Sequence, residues 1–283
     1  MTEMVLRNSE GKTLPFTLSN GFVVKSVSGI ESADANVRLN SNAQFDGSYV
    51  TSDAVESRMV SVAVVPINIE TANKKRHDII SFIVPHEDYE IFVRRDGRVR
   101  SIVGRLDGEI RTSRAGAWWT QIYKINFICP EPFWMDETDK EVVFRQVVPL
   151  MAFPFSPMWG AGAVSGLMVT EDRRFIVNEG DVPVGVVATI YARGGPVVNP
   201  SINLGAQYVK AIINMEVGDV LTISTVPGEK YILHNGEKHM RFDRRSTFFQ
   251  LPKGVSEISV NAEDGTLDNV ACAVVYRNQY SGV

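Results

Sequence analysis

The chain has 283 residues, more than one core of ordinary size usually holds, so we expect two domains. Its 29 basic and 33 acidic residues give a net charge of -4, which does not fit a sequence-specific nucleic-acid binder. No apolar run is long enough to span a bilayer, and residues 1–9 lack the pattern of a secretion signal. We therefore expect a soluble protein made in the cytoplasm, with no membrane partner.

The N-terminal segment, up to about Ser57, is polar and contains short apolar runs such as Phe22-Val23-Val24 that suit strands. Its middle part, residues 31–53, has too little apolar surface to order itself alone. We predict an extended loop or arm there, which would become ordered by packing on a neighbouring molecule.

One helix is predicted, beginning near Asn68 and ending before Pro85. Its predicted apolar face has four residues at helical spacing: Ala72, Ile79, Ile80 and Ile83. The rest of the N-terminal half reads as strands, so the helix is expected to pack on a sheet.

A β-hairpin follows the helix, with strands over residues 89–95 and 98–106. Asp96-Gly97 joins them, since this dipeptide accepts the positive φ angles of a two-residue turn. Arginines crowd this turn, and like charges so close destabilise an isolated hairpin unless acidic groups of a partner face them. The candidate subunit interface is therefore Arg94, Arg95, Arg98 and Arg100. The alternatives are a solvated turn and a phosphate contact.

A long strand is predicted over residues 117–129, and Pro130 and Pro132 end it because proline lacks a ladder donor. We place the boundary after Trp134, which gives domains over residues 1–134 and 135–283. The second domain alternates apolar strands with turns, the pattern of a β-sandwich or jelly roll. Its predicted strands are residues 142–148, 164–170, 173–177, 184–192, 208–214, 220–226, 230–234, 247–251, 255–261 and 269–276. The fold class is mainly β.

No set of residues has the spacing of a catalytic or metal site. The pair His234 and His239 flanks the Asn235-Gly236 turn, but no Cys, Asp or Glu at ligand spacing completes a coordination set. The acids of residues 131–141 lie around prolines, and closeness in sequence does not give two carboxyls the distinct environments that acid–base chemistry needs. We expect no enzymatic activity, no cofactor and no metal.

Three groups of residues occur in an informative order. The first is Phe-Ile-Cys-Pro-Glu-Pro-Phe-Trp at residues 127–134. The second is Gly180-Asp-Val-Pro183, the apolar run 187–190 and Asn199-Pro200. The third is the closing run of strands with residues 218–223, Asn235-Gly236, residues 246–251 and residues 254–260. Gly47-Ser-Tyr49, Arg58, a helix and a hairpin precede them. In this order they resemble the distal tail proteins (Dit) of long-tailed bacteriophages.

The resemblance implies a structural virion protein. Its N-terminal β domain, with one helix and a hairpin, would close a homohexameric ring around a channel for the genome. Its C-terminal domain would be a galectin-like or carbohydrate-binding-module-like sandwich. The implied partners are the tail tube protein, the tail-associated fibre or lysin protein and, in some relatives, receptor-binding proteins. The implied location is the tail tip of the virion, after synthesis in the host cytoplasm.

Two other functions stay open. The first is a carbohydrate-binding module for host-surface attachment, with Trp159, Tyr191, Tyr208 and Tyr231 as candidate sugar contacts. Their alternating strand positions favour the core for most such aromatic residues. The second is a hydrolase acting on cell-wall sugar, which the scarcity of histidine and the lack of a clustered acid pair disfavour. Sandwiches of this type occur in lectins, enzymes and scaffolds alike.

Overall fold

The structure is a computed structural model that describes residues 2–41, 46–114, 121–144, 147–149, 166–168 and 172–283. The chain divides into two compact units, Met1–Glu137 with Gln279–Val283, and Thr138–Asn278. The division lies three residues after the predicted boundary at Trp134. The last five residues fold with the first unit, because a strand there pairs with the strand that begins at Trp134.

Strands and one helix are numbered in chain order. The first unit contains β1 (Glu3–Asn8), β2 (Thr13–Phe16), β3 (Phe22–Ser28), β4 (Ala35–Ser41), β5 (Ser48–Val55), β6 (Arg58–Pro66), α1 (Ile69–Phe82), β7 (Asp88–Arg95), β8 (Arg98–Leu106), β9 (Arg111–Arg114), β10 (Gln121–Cys129) and β11 (Trp134–Asp136). The second contains β12 (Lys140–Phe144), β13 (Val147–Pro149), β14 (Gly166–Met168), β15 (Arg173–Asn178), β16 (Val186–Ala192), β17 (Val197–Leu204), β18 (Gln207–Lys210), β19 (Asn214–Met215), β20 (Val220–Ser224), β21 (Tyr231–His234), β22 (Glu237–Lys238), β23 (Gly254–Glu263) and β24 (Val270–Tyr276). Finally, β25 (Gln279–Tyr280) belongs to the first unit.

The first unit is built on one antiparallel sheet with the strand order β2-β1-β7-β8-β10-β6-β3. The predicted helix is confirmed as α1, and Ile79 and Ile83 are buried as expected. Ile80 is exposed, since each residue turns the helix by about 100° and the residue after Ile79 rotates away from the core. No helix among the described residues is long and apolar enough to cross a membrane.

The hairpin is confirmed as β7 and β8. Asp96 and Gly97 have φ angles of 49° and 79°, as a two-residue turn of this kind requires. The resulting register pairs Arg95 with Arg98. The prediction missed β1 and β2, where Met4 and Leu6 are fully buried, because two alternating apolar residues stand out little in a polar segment. Residues 115–120 of the predicted long strand lie outside the described part of the chain.

The second unit is a sandwich of two antiparallel sheets. One has the strand order β12-β24-β16-β20-β21-β22, and the other has the order β15-β23-β17-β18 with β19 also paired to β17. Side chains of both sheets form one core; Ile190, Ile223 and Val274 come from the first sheet and Ile202, Val209 and Ile258 from the second. The predicted mainly β fold with a C-terminal sandwich is confirmed.

One predicted strand in this unit needs correction, and one observed strand was not predicted. Residues 247–250 form no strand, and only Leu251 makes an isolated bridge, to Val184. Conversely, β17 was missed because Pro200 lies in its middle. The strand tolerates this proline at a shift in register between Val198 and Ser201, where a ladder donor is not needed.

Candidate assembly surface

A two-stranded ribbon of β4 and β5, which we call the arm, stands out from the first unit. The sequence predicted an extended loop or arm at this position, and the structure shows a paired hairpin whose described residues are all exposed. Leu39 pairs with Val50, and Ala35 pairs with Val55. Ala35 and Leu39 share one face of β4 by alternation, and a register shift between Arg38 and Leu39 puts their partners Val55 and Val50 on that same face of the arm.

That face of the arm is mainly apolar, although Asp53 also lies on it, opposite Val37. Val37, Leu39, Val50 and Val55 lie on it, and each is between 41% and 63% exposed. The opposite face is polar and has Asn36, Arg38 and Asn40 on β4. No described residue covers the apolar face. A ribbon with one unpaired apolar face is the form expected of an element that packs on a partner.

The base of the arm is held by Arg58, a residue that is only 5% exposed. Its Nη1 donates to the carbonyl oxygens of Gly29 and Glu31, both at 2.8 Å. Its Nε donates to Pro132 O at 2.6 Å, and its Nη2 donates to Ser281 O at 2.7 Å. Burial lowers the pKa of this guanidinium, but arginine stays protonated in proteins. One side chain therefore joins the segment that leads into the arm, the loop at Pro132 and the C-terminal segment, residues 279–283.

The C-terminal segment is tied to the same place by further contacts. Arg100 Nη1 donates to Gly282 O at 2.8 Å, and its guanidinium carbon lies 3.2 Å from the centre of the Tyr280 ring. The backbone N–H of Val283 donates to Ile30 O at 2.8 Å. Arg100 is buried, so it is a structural residue of this unit, and we remove it from the candidate interface.

The other three arginines of the hairpin have different environments. Arg95 Nη1 lies 2.8 Å from Glu31 Oε1, and this bond raises the pKa of Arg95. Arg94 and Arg98 are exposed and form no ion pair with any residue that the structure describes. Arg98 faces the same side as Arg95, whereas Arg94 pairs with Val99 on the other side. Arg94 and Arg98 thus remain the predicted interface residues.

The structure does not bring the three described candidate sugar contacts together. Tyr191 and Tyr231 lie on the sheet that contains β16 and β21, and Tyr208 lies on the opposite sheet of the sandwich. Tyr208 donates from its hydroxyl to Asp243 Oδ2 at 2.8 Å. Trp159 lies outside the described residues. The three described tyrosines therefore do not form a single platform for a sugar.

His234 and His239 do approach each other, with ring centres 6.4 Å apart. Among the described residues, no group of three His, Cys, Asp or Glu side chains could hold a metal ion. Instead, His234 Nε2 lies 3.0 Å from Asp219 Oδ2, and Asn235 Nδ2 donates to Asp219 Oδ1 at 2.8 Å. With the backbone N–H of Glu216, these donors lower the pKa of Asp219 to about 2, the bond from Asn235 being the largest cause. The carboxylate fastens the turn between β21 and β22 to the start of β20.

We expect this carboxylate to make the stability of the second unit depend on pH. The folded pKa is lowered, so the stabilisation is complete above the ordinary value of 3.8 and is lost as pH falls towards 2. In Asp219→Asn, urea denaturation at several pH values should show a smaller loss of stability over this window. An equal loss in the variant and the unaltered chain would show that the Asp219 contacts do not contribute.

Arg58 is a buried structural residue whose importance the sequence analysis did not recognise. It appeared only as a marker in the resemblance, although its position carries a signal. By the alternation of side chains along β6, Arg58 points to the same side as Val60, Val62 and Val64, and this side is buried. An arginine on the inward side of a strand must find several acceptors. The sequence could not show that these acceptors come from segments as distant as Pro132 and Ser281.

Comparison with known proteins gives one family and several related folds. Residues 179–280 match the model of the siphovirus-type tail component, C-terminal domain. The structure of the Dit protein of phage SPP1, described as a paradigm of the hub adsorption apparatus in phages that infect Gram-positive bacteria, aligns with a TM-score of 0.67 and 12% identity over 98% of both chains. Chains of the phage P2 baseplate, in its activated conformation with calcium or strontium, align with TM-scores of 0.57 and 9% identity over the whole of both chains. No curated protein sequence matches.

These matches agree with the interpretation of the sequence. The chain shares the mainly β fold of those structures, and the resemblance to the distal tail proteins is confirmed. The part of the chain that a family model matches, residues 179–280, is therefore similar to the C-terminal domain of siphovirus-type tail components.

Proposed function

We propose that the chain forms a closed hexameric ring at the distal end of a phage tail, as the hub that joins the tail tube to the tail-tip fibre and receptor-binding apparatus. The observation that carries the proposal is the arm, whose apolar face is exposed while its base is fixed by Arg58. The likeness to the SPP1 hub protein and to the P2 baseplate chains supports a role in such an assembly.

A ring of this kind needs two different surfaces on each copy, because every subunit contacts its two neighbours through unlike patches. The first unit offers two candidates. One is the apolar face of the arm, which would cover apolar surface on the next copy. The other is the hairpin tip with Arg94 and Arg98, which would face acidic groups. The axial faces of the ring would receive the tail tube protein on one side and the fibre or lysin protein on the other.

Charge reversal tests the hairpin surface. We expect Arg94→Glu with Arg98→Glu to weaken assembly, because two exposed cations would become anions facing the partner's acidic groups. Light scattering after size exclusion should show a shift from the assembled mass to the monomer at a concentration where the unaltered chain is assembled.

The matched control reverses two exposed arginines of the second unit, Arg241→Glu with Arg244→Glu, and should leave the mass unchanged. Circular dichroism should show that both variants are folded. An Arg94 and Arg98 variant that assembles as the unaltered chain does would remove the hairpin from the interface.

A further inference from the structure

The second unit has a polar surface on the outer side of the sheet β15-β23-β17-β18. Six side chains lie there in two rows that cross β18, β17 and β23, namely Tyr208, Asn203 and Ser259 in one row and Lys210, Ser201 and Asn261 in the other. Their neighbours along the strands, Ile202, Val209 and Val260, point into the core. Because successive side chains along a strand point to opposite faces of the sheet, all six polar side chains point away from the core.

This surface contains a cavity of about 200 Å³, lined mainly by these residues together with Asn199 and Glu263. Lys210 Nζ lies 2.9 Å from Glu263 Oε1, and Asn199 Nδ2 donates to Glu263 Oε2 at 2.5 Å. The hydroxyl of Tyr208 is held by Asp243. These bonds fix the side chains in place before any ligand arrives, which lowers the entropic cost of binding.

Several polar groups in the cavity are not used by the fold. Ser201 is only 6% exposed, and its hydroxyl makes no hydrogen bond to any described residue. Within the same part of the chain, Asn203 Oδ1 and Asn261 Nδ2 also have no partner, since their hydrogen bonds use the other atom of each amide. A hydroxyl, an acceptor and a donor therefore converge on one cavity, as in sites that orient a ligand by hydrogen bonds.

The charges limit the chemistry of the ligand. Lys210 is matched by Glu263 and by Asp243, whose Oδ2 is 3.6 Å from Lys210 Nζ, so the site carries no excess of positive charge for a phosphate or carboxylate. The lining is also too polar for an apolar ligand. A ligand rich in hydroxyl groups fits this lining, because each hydroxyl both donates and accepts hydrogen bonds and can therefore bond to amides, hydroxyls and ion pairs.

We propose that this cavity is a binding site for a neutral carbohydrate. Tyr208 lines it, and its ring would offer an apolar surface to the C–H groups of a sugar. Asn203 Nδ2 lies 3.4 Å from Ser259 Oγ, and Ser259 lines a second cavity of about 380 Å³ with Arg173 and Glu257. The two cavities together give an oligosaccharide room for more than one ring. This function goes beyond ring assembly and uses only residues of the second unit.

The test uses the full chain on an array of neutral hexose and N-acetylhexosamine oligosaccharides, printed beside sialylated and phosphorylated ones, with calorimetry on the best neutral hit. We expect binding to at least one neutral glycan and about tenfold weaker binding by Asn203→Ala with Asn261→Ala, which removes two hydrogen-bonding groups. Asn261 is exposed, so Asn261→Ala alone is a folded second variant with a smaller loss.

Asn214→Ala is the control, since Asn214 is an exposed asparagine on β19 outside the cavity. This variant should bind the glycan with the same affinity as the unaltered chain. Three results would overturn the proposal: no neutral glycan is bound, only charged glycans are bound, or the double variant binds as tightly as the control.

Discussion

Replacing Arg58 with Met is expected to lower the free energy of unfolding of the first unit by about 4 kcal/mol, because four carbonyl groups around a buried site lose their donor. Met fills similar volume but cannot donate a hydrogen bond. The C-terminal segment should loosen at the same time, so the amide of Val283, now bonded to Ile30 O, should exchange with solvent faster. Urea denaturation and hydrogen exchange measure the two effects.

Two further variants separate the contacts of Arg58 from its charge. Arg58→Lys keeps the charge, but one lysine ammonium cannot donate to all the carbonyl groups that surround the planar guanidinium of Arg58. We therefore expect Arg58→Lys to lose most of the free energy of unfolding that Arg58→Met loses. Arg111→Met removes an arginine whose side chain is 72% exposed, and it should change stability by less than about 0.5 kcal/mol. An Arg58→Met protein as stable as Arg111→Met would show that the hydrogen bonds of Arg58 do not contribute to stability.

Placing charge on the apolar face of the arm is expected to abolish assembly while leaving the single chain folded. In Leu39→Asp with Val50→Asp, two carboxylates would occupy a directly paired position that the ring would bury. Burying an unpaired carboxylate costs several kcal/mol of binding free energy. That cost exceeds the free energy that the contact between the arm and the next copy would supply. Sedimentation velocity should show only monomer at concentrations where the unaltered chain assembles.

The control places the same two charges on the polar face of the arm. Asn40 and Ser52 lie on that side, opposite Tyr49 and Arg38. Asn40→Asp with Ser52→Asp should therefore assemble as the unaltered chain does. If both pairs of substitutions abolish assembly, the effect comes from added charge in general and the apolar face has no special role.

Local signals in the sequence accounted for much of the fold. The Asp96-Gly97 turn determined the hairpin register, and α1 followed from the spacing of Ile79 and Ile83. Both depend on residues close together in the chain. By contrast, β17 contradicts a local rule, because it accepts Pro200 at a register shift that only its neighbouring strands create. A local reading excludes such a strand.

The candidate site was predictable only in part, for a similar reason. The arm and the arginine hairpin were identified from polarity and charge, but the arm's amphipathic face depends on the pairing of Leu39 with Val50. The structural role of Arg100 depends on Gly282, which is distant in sequence. The polar cavity joins residues of β17, β18 and β23, and no sequence spacing reveals that neighbourhood.

The native mass of the purified chain, followed by negative-stain images, tests the central claim most directly. We expect particles of six copies that appear as closed annuli with an open centre. A chain that stays monomeric at every concentration, or that grows into open filaments, would contradict it, because the two surfaces of the first unit would then be absent or set at angles that do not close.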